Sequence, residues 1–196
     1  GKDITADITS DDPNLKADIN ISHSTTKGKG SHLDIALTKF NPYNLNLTRD
    51  YNGEEFSMNL KYDHIASENG ERTTSIRIED FLHYDGENEN VLHNLYITDS
   101  NTSGHRTLVL NSDFMEGNIT GEFDLGGIRS TFYNVIETHL PSLGIKSSKL
   151  TRGGKNNFTY KLEVWNTDFL SKIIDLPMTV EKQLEISGKC NDRIDH

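Results

Sequence analysis

Cysteine is almost absent from this 196-residue chain. Cys190 alone cannot form an internal disulfide, and CxxC redox or zinc motifs are excluded with it. As a lone thiol it reads as an incidental residue near a frayed C-terminus, not as a nucleophile. Hydrophobic residues are also sparse, at 33%, where a typical globular domain has about half. That is thin for a two-sided core and sufficient for strands that bury one face. No apolar run is long enough to span a bilayer, and no signal peptide is recognisable. The opening Gly1-Lys2-Asp3 reads as a tag remnant followed by an internal fragment. Basic charge is in short supply: 20 Lys and Arg against 30 Asp and Glu give a net charge of −10 and a pI of about 5.2. Such a surface repels phosphate backbones and argues against nucleic-acid binding. It also argues against adsorption to anionic headgroups by charge, while leaving acyl chains in an apolar groove open.

Catalytic motifs are missing too. There is no GxSxG, HExxH, Walker A or GxGxxG pattern, so no catalytic, cofactor-binding or metal-ligating residue is assigned and no cofactor is expected. The eight histidines (His23, His32, His64, His83, His93, His105, His139 and His196) are dispersed, without metal-ligand spacing. Glu54-Glu55 and Glu79-Asp80 invite a glycosidase reading. Strand neighbours point to opposite faces, however, so neither pair is a dyad by itself. Asp11-Asp12 and the run Asp85 to Glu89 offer loose calcium ligands without EF-hand spacing. A single tryptophan, Trp165, with seven scattered tyrosines, suggests sheet packing rather than sugar stacking. Triplets such as Asn46-Leu47-Thr48 and Asn118-Ile119-Thr120 carry no weight as glycosylation sites.

What is abundant is alternation of apolar and polar residues, the mark of half-buried strands. Leu33, Ile35 and Leu37 alternate with polar or small residues, and the same rule holds for Tyr43, Leu45 and Leu47. Phe56, Met58, Leu60 and Tyr62 follow it. Ile76 and Ile78, Leu95 and Ile97, and Leu108 and Leu110 continue the series. Then come Ile119, Phe123 and Leu125, with Gly121 between. Phe158, Tyr160, Leu162 and Val164 give the cleanest run, and Leu184 with Ile186 the last. Ile4 to Ile8 and Leu15 to Ile21 are weaker copies.

Between the runs lie turn residues: Lys27-Gly28-Lys29-Gly30, Asn52-Gly53, Asn69-Gly70, Asp85-Gly86, Asn101 to Gly104, and Gly153-Gly154. Asn52-Gly53 and Asn69-Gly70 are the strongest hairpin signals. Strands linked in this way predict an antiparallel meander. Two segments change period. Ile128, Phe132, Val135, Ile136 and Leu140 have helical spacing, with Pro141 just beyond. Asp168 is placed to cap a shorter helix holding Phe169, Leu170, Ile173 and Ile174, stopped before Pro177. Each helix reads either as a lid over a groove or as a plug at a sheet end or edge. The chain divides into a β-trough segment at 1–126, a helix and connecting loop at 127–155, and a continuing β segment at 156–196, within one continuous domain.

One-faced strands have two ways to bury their apolar side. The sheet can fold over into a filled sandwich, or curl into a half-open trough whose apolar strip marks an interaction site. The expected fold is therefore mainly β, with one or two short helices covering an end or edge. The residues assigned by alternation to the inward face, as candidate groove lining, are Phe56, Met58, Leu60, Ile76, Ile78, Leu95, Ile97, Leu108, Leu110, Phe123, Phe158, Tyr160, Leu162 and Val164. The plain alternative for each is ordinary core packing.

The stretch Leu108 to Phe123, with its Ser112-Asp113-Phe114 triplet and inner Gly117 and Gly121, resembles a recurring element of TamB/AsmA-like envelope proteins. In that element a helix follows and ends in Leu-Pro-x-Leu, here Leu140-Pro141-Ser142-Leu143. Phe40 to Leu47, Asn157 to Leu162, and Leu176-Pro177 with a strand closing at Gly188 resemble the family as well. The likeness spans roughly residues 30 to 190. It implies an inner-membrane-anchored protein of the Gram-negative periplasm, built as a long twisted β trough. It also implies links to phospholipid movement and outer-membrane protein assembly, with no cofactor and no catalytic residues. Phospholipid acyl chains or outer-membrane assembly proteins are the partners it suggests. Without the resemblance, the same strands describe a secreted or surface β-sandwich module that binds glycan or protein. A hydrolase lacks any local motif.

Overall fold

The computed structural model of the chain describes residues 2–26, 28, 30–125, 156–173, 180 and 182–191. Ten strands form one antiparallel sheet whose spatial order is the chain order. They are β1 (Asp3–Asp12), β2 (Leu15–Ser24), β3 (Gly30–Phe40), β4 (Glu55–Ala66), β5 (Arg72–Tyr84), β6 (Glu89–Thr102), β7 (His105–Ser112), β8 (Met115–Glu122), β9 (Asn157–Val164) and β10 (Leu184–Asn191). Among the described residues a six-residue helix, α1 (Asp168–Ile173), lies between β9 and β10. The fold is thus the mainly β meander that the alternation predicts. The sheet does not close into a barrel: β1 and β10 are its two ends. Among the described residues no second sheet packs against it, so the core of a filled sandwich is not formed there.

The cross-strand register explains why one sheet is enough. Because side chains alternate with period two, residues directly opposite each other share a face. One row runs Ile8–Ile19–Ile35–Leu60–Ile78–Leu95. The next runs Ala6–Ile21–Leu33–Tyr62–Ile76–Ile97–Leu110–Gly117–Leu162–Ile186 across all ten strands. The reverse face carries Asp34–Lys61–Arg77–Tyr96–Asn111–Glu116–Glu163–Glu185. One face is therefore apolar and the other is a ladder of charges and amides.

Bulges preserve that division along the length of the strands. β3 carries an extra residue, Thr38, between Leu37 and Phe40, where its register shifts against both neighbours. β5 carries one between Glu79 and Leu82 relative to β4. There Asp80 adopts φ 50° and drops out of the β5–β6 pairing opposite His93. An extra residue reverses the alternation beyond it. Without reversal, Phe40, Phe81, His83 and Leu92 would turn to the polar face; with it they join Leu37, Ile78 and Leu95.

The small side of the apolar face uses glycine. Gly121 has φ 147°, and an added Cβ would fall 2.3 Å from the Asn157 carbonyl oxygen. Its absence lets β9 approach with Phe158 lying over it. At the β6–β7 hairpin, Ser103 and Gly104 both have positive φ, 53° and 85°, the pattern of a type I′ turn that matches strand twist. That turn is narrower than the Asn101 to Gly104 segment read from sequence, since Asn101 and Thr102 still belong to β6.

Several expectations need correction. Tyr43, Leu45 and Leu47 do not form a strand. Asn41 is buried, and its Oδ1 accepts from Asn44 N at 2.9 Å. The Leu45 and Leu47 amides donate to the Asn41 and Pro42 carbonyls. This side chain offers the backbone a turn that outcompetes the ladder, and Leu47 points to solvent. β8 ends at Glu122, before Phe123 and Leu125. The cap of α1 is Thr167, not Asp168: Ser171 N donates to the Thr167 carbonyl at 2.9 Å, which places Asp168 in the first turn. Cys190 is the next-to-last residue of β10, opposite Phe158. The predicted helix at 128–140 and the 127–155 boundary lie outside the described residues, as do Ile174 and Gly153-Gly154.

Gly121→Ala is expected to destabilise the chain by more than about 1 kcal/mol, because both the backbone conformation and the close strand resist a side chain. Gly117→Ala meets the tip of Leu162 at 3.1 Å and the Lys161 carbonyl oxygen at 3.6 Å, an ordinary contact, and should cost clearly less. Urea unfolding of the two variants side by side checks the order.

Candidate functional site

All the residues assigned to groove lining fall on the apolar face. Leu60, Ile78 and Leu95 stand in one row, with Ile76, Ile97, Leu110 and Leu162 in the next. Leu108 opposes Ile119, which opposes Tyr160. Val164 opposes Met115, and Phe158 opposes Gly121. Phe56 and Met58 lie toward the end of β4 that pairs with Phe40 and Leu37. Phe123 sits past the end of β8, with its ring edge-on to Phe158 at 5.6 Å. Most of these side chains are only half-buried. The face loses cover toward its β1 end, where Ile8 is 50% exposed. The described residues that are both apolar and buried are few: Ala17, Leu92, Phe114, Phe158 and Val164.

The face has two distinct ends. At one, aromatic rings collect. Phe56 contacts Phe40 at 6.4 Å and Phe81 at 6.2 Å, meets Tyr51 edge-on at 5.5 Å, and stacks on His83 at 4.8 Å. Leu37, Phe40, Pro42, Phe56, Met58 and Phe81, with Thr48 and Tyr51, line an open cleft of about 300 Å³. That is at the small end of the roughly 300–1,000 Å³ range of small-molecule sites. α1 covers the far side of the cluster. Phe169 sets its ring edge-on to Phe81 at 5.8 Å and stacked near Phe114 at 6.1 Å.

The connector between β7 and β8 holds that end together. Ser112 Oγ donates to the Met115 carbonyl at 3.0 Å and accepts from Met115 N at 3.1 Å. Asp113 accepts from the amides of His93 at 2.5 Å and Asn94 at 3.3 Å, the backbone donors freed by the irregularity in β6. Trp165 Nε1 donates to the Asp113 carbonyl at 2.6 Å.

At the other end the apolar face turns polar. Asp99 and Arg106 form a two-pronged ion pair, Nε to Oδ1 and Nη2 to Oδ2, both at 2.5 Å. Their side chains are 14% and 17% exposed. Hydrogen bonding to Asp99 holds the Arg106 pKa above its ordinary value, with burial opposing. The guanidinium also lies 5.7 Å over the Phe123 ring. Beside them His64 Nδ1 meets Thr74 Oγ1 at 2.9 Å, and His23 Nδ1 meets Ser31 Oγ at 2.8 Å.

The acidic residues weighed for chemistry are occupied locally. Glu54 pairs with His83, and Glu55 with Lys39 at 2.8 Å. Glu79 accepts from the Tyr96 hydroxyl at 3.1 Å; burial first, and this bond second, raise the Tyr96 pKa. Asp80 lies 3.9 Å from His93. Asp85 accepts the amides of Asn88 and Glu87, which lower its pKa, so it shapes a turn. Asp11 meets Lys16 at 3.2 Å. On the polar face Lys161 and Glu163 form an ion pair that raises the lysine pKa and lowers the glutamate pKa. Among the described residues no cluster of three or more His, Cys, Asp or Glu side chains has metal-binding geometry. Nor is any helix among them long and apolar enough to cross a membrane.

Alternation alone missed Phe81, Leu92, Phe114 and Phe169, which build the aromatic end. A signal for two of them was present: apolar residues step by three, from Ile78 to Phe81 and from Leu92 to Leu95, where a bulge reverses the phase. No protein family, curated protein or solved structure matches this chain.

Phe56→Ala removes the ring that four neighbours share and should cost about 2–3 kcal/mol. It should also enlarge the aromatic cleft. Thermal unfolding, with the apolar dye ANS reporting exposed surface, checks both effects.

Proposed function

We propose that this chain is a non-enzymatic periplasmic segment of a TamB/AsmA-like protein, and that its apolar face is a groove for phospholipid acyl chains. The observation that carries the proposal is the continuous apolar row across all ten strands, backed by a charged reverse face. Hydrocarbon chains need no directional bonds, only a strip where water is displaced at roughly 25 cal/mol per Å² of apolar surface. An open strip of half-buried Leu and Ile provides that. A closed core would instead spend those side chains on one another.

The architecture supports the reading in two further ways. The sheet remains open at β1 and β10, so the row can continue beyond either end by strand addition. The polar face keeps the layer in water through mixed charges, including Lys61, Arg77, Glu116 and Glu163. In the same reading the protein is anchored in the inner membrane, and the segment supports phospholipid transfer or outer-membrane protein assembly.

Native mass spectrometry of the chain mixed with phospholipid tests the proposal. The wild-type chain is expected to hold one or more phospholipids. Leu60→Asp, Ile78→Asp and Leu110→Asp together should abolish that binding while far-UV circular dichroism keeps its β signature. A wild-type chain that stays lipid-free in excess phospholipid contradicts the proposal.

A further inference from the structure

The outer edge of β1 is open and carries none of the usual devices that protect an edge strand. Among the described residues no strand pairs with that side. β1 is 10 residues long, and its register with β2 runs from Asp3↔Ser24 to Asp12↔Leu15 without a shift. It contains no lysine, no proline and no bulge, the features that commonly blunt an edge. The ladder has a fixed phase. Thr25 N donates to the Lys2 carbonyl at 3.1 Å, so the bonds between β1 and β2 fall on Lys2 and then on every second residue: Ile4, Ala6, Ile8, Ser10 and Asp12. Thr5, Asp7, Thr9 and Asp11 therefore turn their N–H and C=O groups toward the open edge.

The side chains select what fits that edge. Asp3-Ile4-Thr5-Ala6 is followed by Asp7-Ile8-Thr9-Ser10 and then by Asp11, a repeating pattern. Asp3, Asp7 and Asp11 stand on the charged face of the sheet, and Ile4, Ala6 and Ile8 on the apolar face. Ile4 is 58% exposed and Ile8 50% exposed. Asp3 accepts from the Ser24 hydroxyl. Asp11 meets Lys16 at 3.2 Å, yet its side chain stays 87% exposed. Asp7 and Thr9 face Asn20 and Asp18 on β2, so Lys16 is the one basic side chain that β1 and β2 place on this face. A second copy of the chain fits poorly. An antiparallel pair of β1 strands centred on Asp7 sets Asp7 against Asp7 and Asp3 against Asp11, and like charges directly opposite repel. The complement is a strand with Lys or Arg where β1 has Asp, and apolar side chains between them. We propose that the β1 edge binds an extended polypeptide segment of that kind, alternating apolar with basic residues, as an added strand. Its main chain completes the open ladder, its bases meet Asp7 and Asp11, and its apolar side chains cover Ile4 and Ile8. The site is the edge of the sheet, not its face, and does not depend on lipid occupying the groove.

The test is NMR of the isotope-labelled whole chain titrated with the end-capped peptide Lys-Val-Thr-Val-Lys-Val-Thr-Val-Lys. Bound peptide should slow amide hydrogen exchange at Thr5, Asp7 and Thr9. Ile4, Ala6 and Ile8, already bonded to β2, should change far less. A peptide of the same residues in an order without alternation should bind about tenfold more weakly, and so should one with Glu for Lys. Thr5→Pro removes an outward N–H and spares the bonds between β1 and β2. It should weaken the alternating peptide about tenfold with the melting temperature nearly unchanged. Asp7→Lys leaves the backbone alone and decides the matter if Thr5→Pro fails to fold. It should weaken the lysine peptide about fivefold and strengthen the glutamate one. The proposal is overturned if saturating peptide protects none of the outward amides, if the reordered peptide binds equally well, or if Asp7→Lys binds unchanged. It is overturned as well if the same amides become protected with rising protein concentration and no peptide, which makes the partner a second copy.

Discussion

The constraint on which this structure depends is that every strand must keep its apolar side chains on the same face as those of its two neighbours. In a meander each strand is aligned only by the one before and the one after, so a one-residue slip anywhere turns the remaining side chains over. The strands here are long, up to 14 residues in β6, and strict alternation over such lengths would have to coexist with twist. The irregularities at Thr38 in β3, Asp80 in β5 and His93 in β6 absorb the mismatch at nearly the same level of the sheet. Asp113 binds the amides that the β6 irregularity frees. The apolar face is thus a product of register as much as of composition.

From that constraint follows the difference between the two ends of the face. Past the bulges the reversed phase brings Phe40, Phe81, His83 and Leu92 together around Phe56, and α1 packs Phe169 onto them. Toward the opposite end the same face carries Asp99, Arg106, His64 and His23, whose polar groups pair with one another or with neighbouring hydroxyls. The Asp99–Arg106 pair is mostly withdrawn from water, so removing either partner would strand the other charge. A hydrocarbon chain lying along the face would therefore have a natural middle region, between Leu37 and Leu162, bounded by aromatic rings on one side and an ion pair on the other.

Much of the fold was legible in the sequence because half-buried strands write their period directly. Phe158-Thr159-Tyr160-Lys161-Leu162 could be little else, and the residues chosen from alternation share one face. Tyr43, Leu45 and Leu47 show where the same pattern misleads. The period was there, but Asn41 and Pro42 supplied a local turn whose hydrogen bonds do not depend on a neighbour strand. The aromatic end was harder to see because its members come from β3, β4, β5, the β7–β8 connector and α1, and only register brings them together. Ser112-Asp113-Phe114 drew attention as a recurring triplet. Its physical role is that the Ser112 hydroxyl closes the connector on Met115, while the Asp113 carboxylate ties it to β6 and the Phe114 ring meets Phe169 of α1, none of which periodicity reveals. The burial of His83 and Asn90 was invisible for the same reason: burial is a property of neighbours.

The most direct test of an acyl-chain groove compares two adjacent positions on opposite faces. A photoreactive benzoylphenylalanine is placed at position 60 or at position 61, in separate preparations, and each is irradiated with phospholipid vesicles or micelles. Leu60 belongs to the central apolar row and Lys61 to the charged face. A lipid adduct at position 60 and none at position 61, read by mass spectrometry, is the predicted result. Adducts at both positions to the same extent, or at neither, would contradict the account.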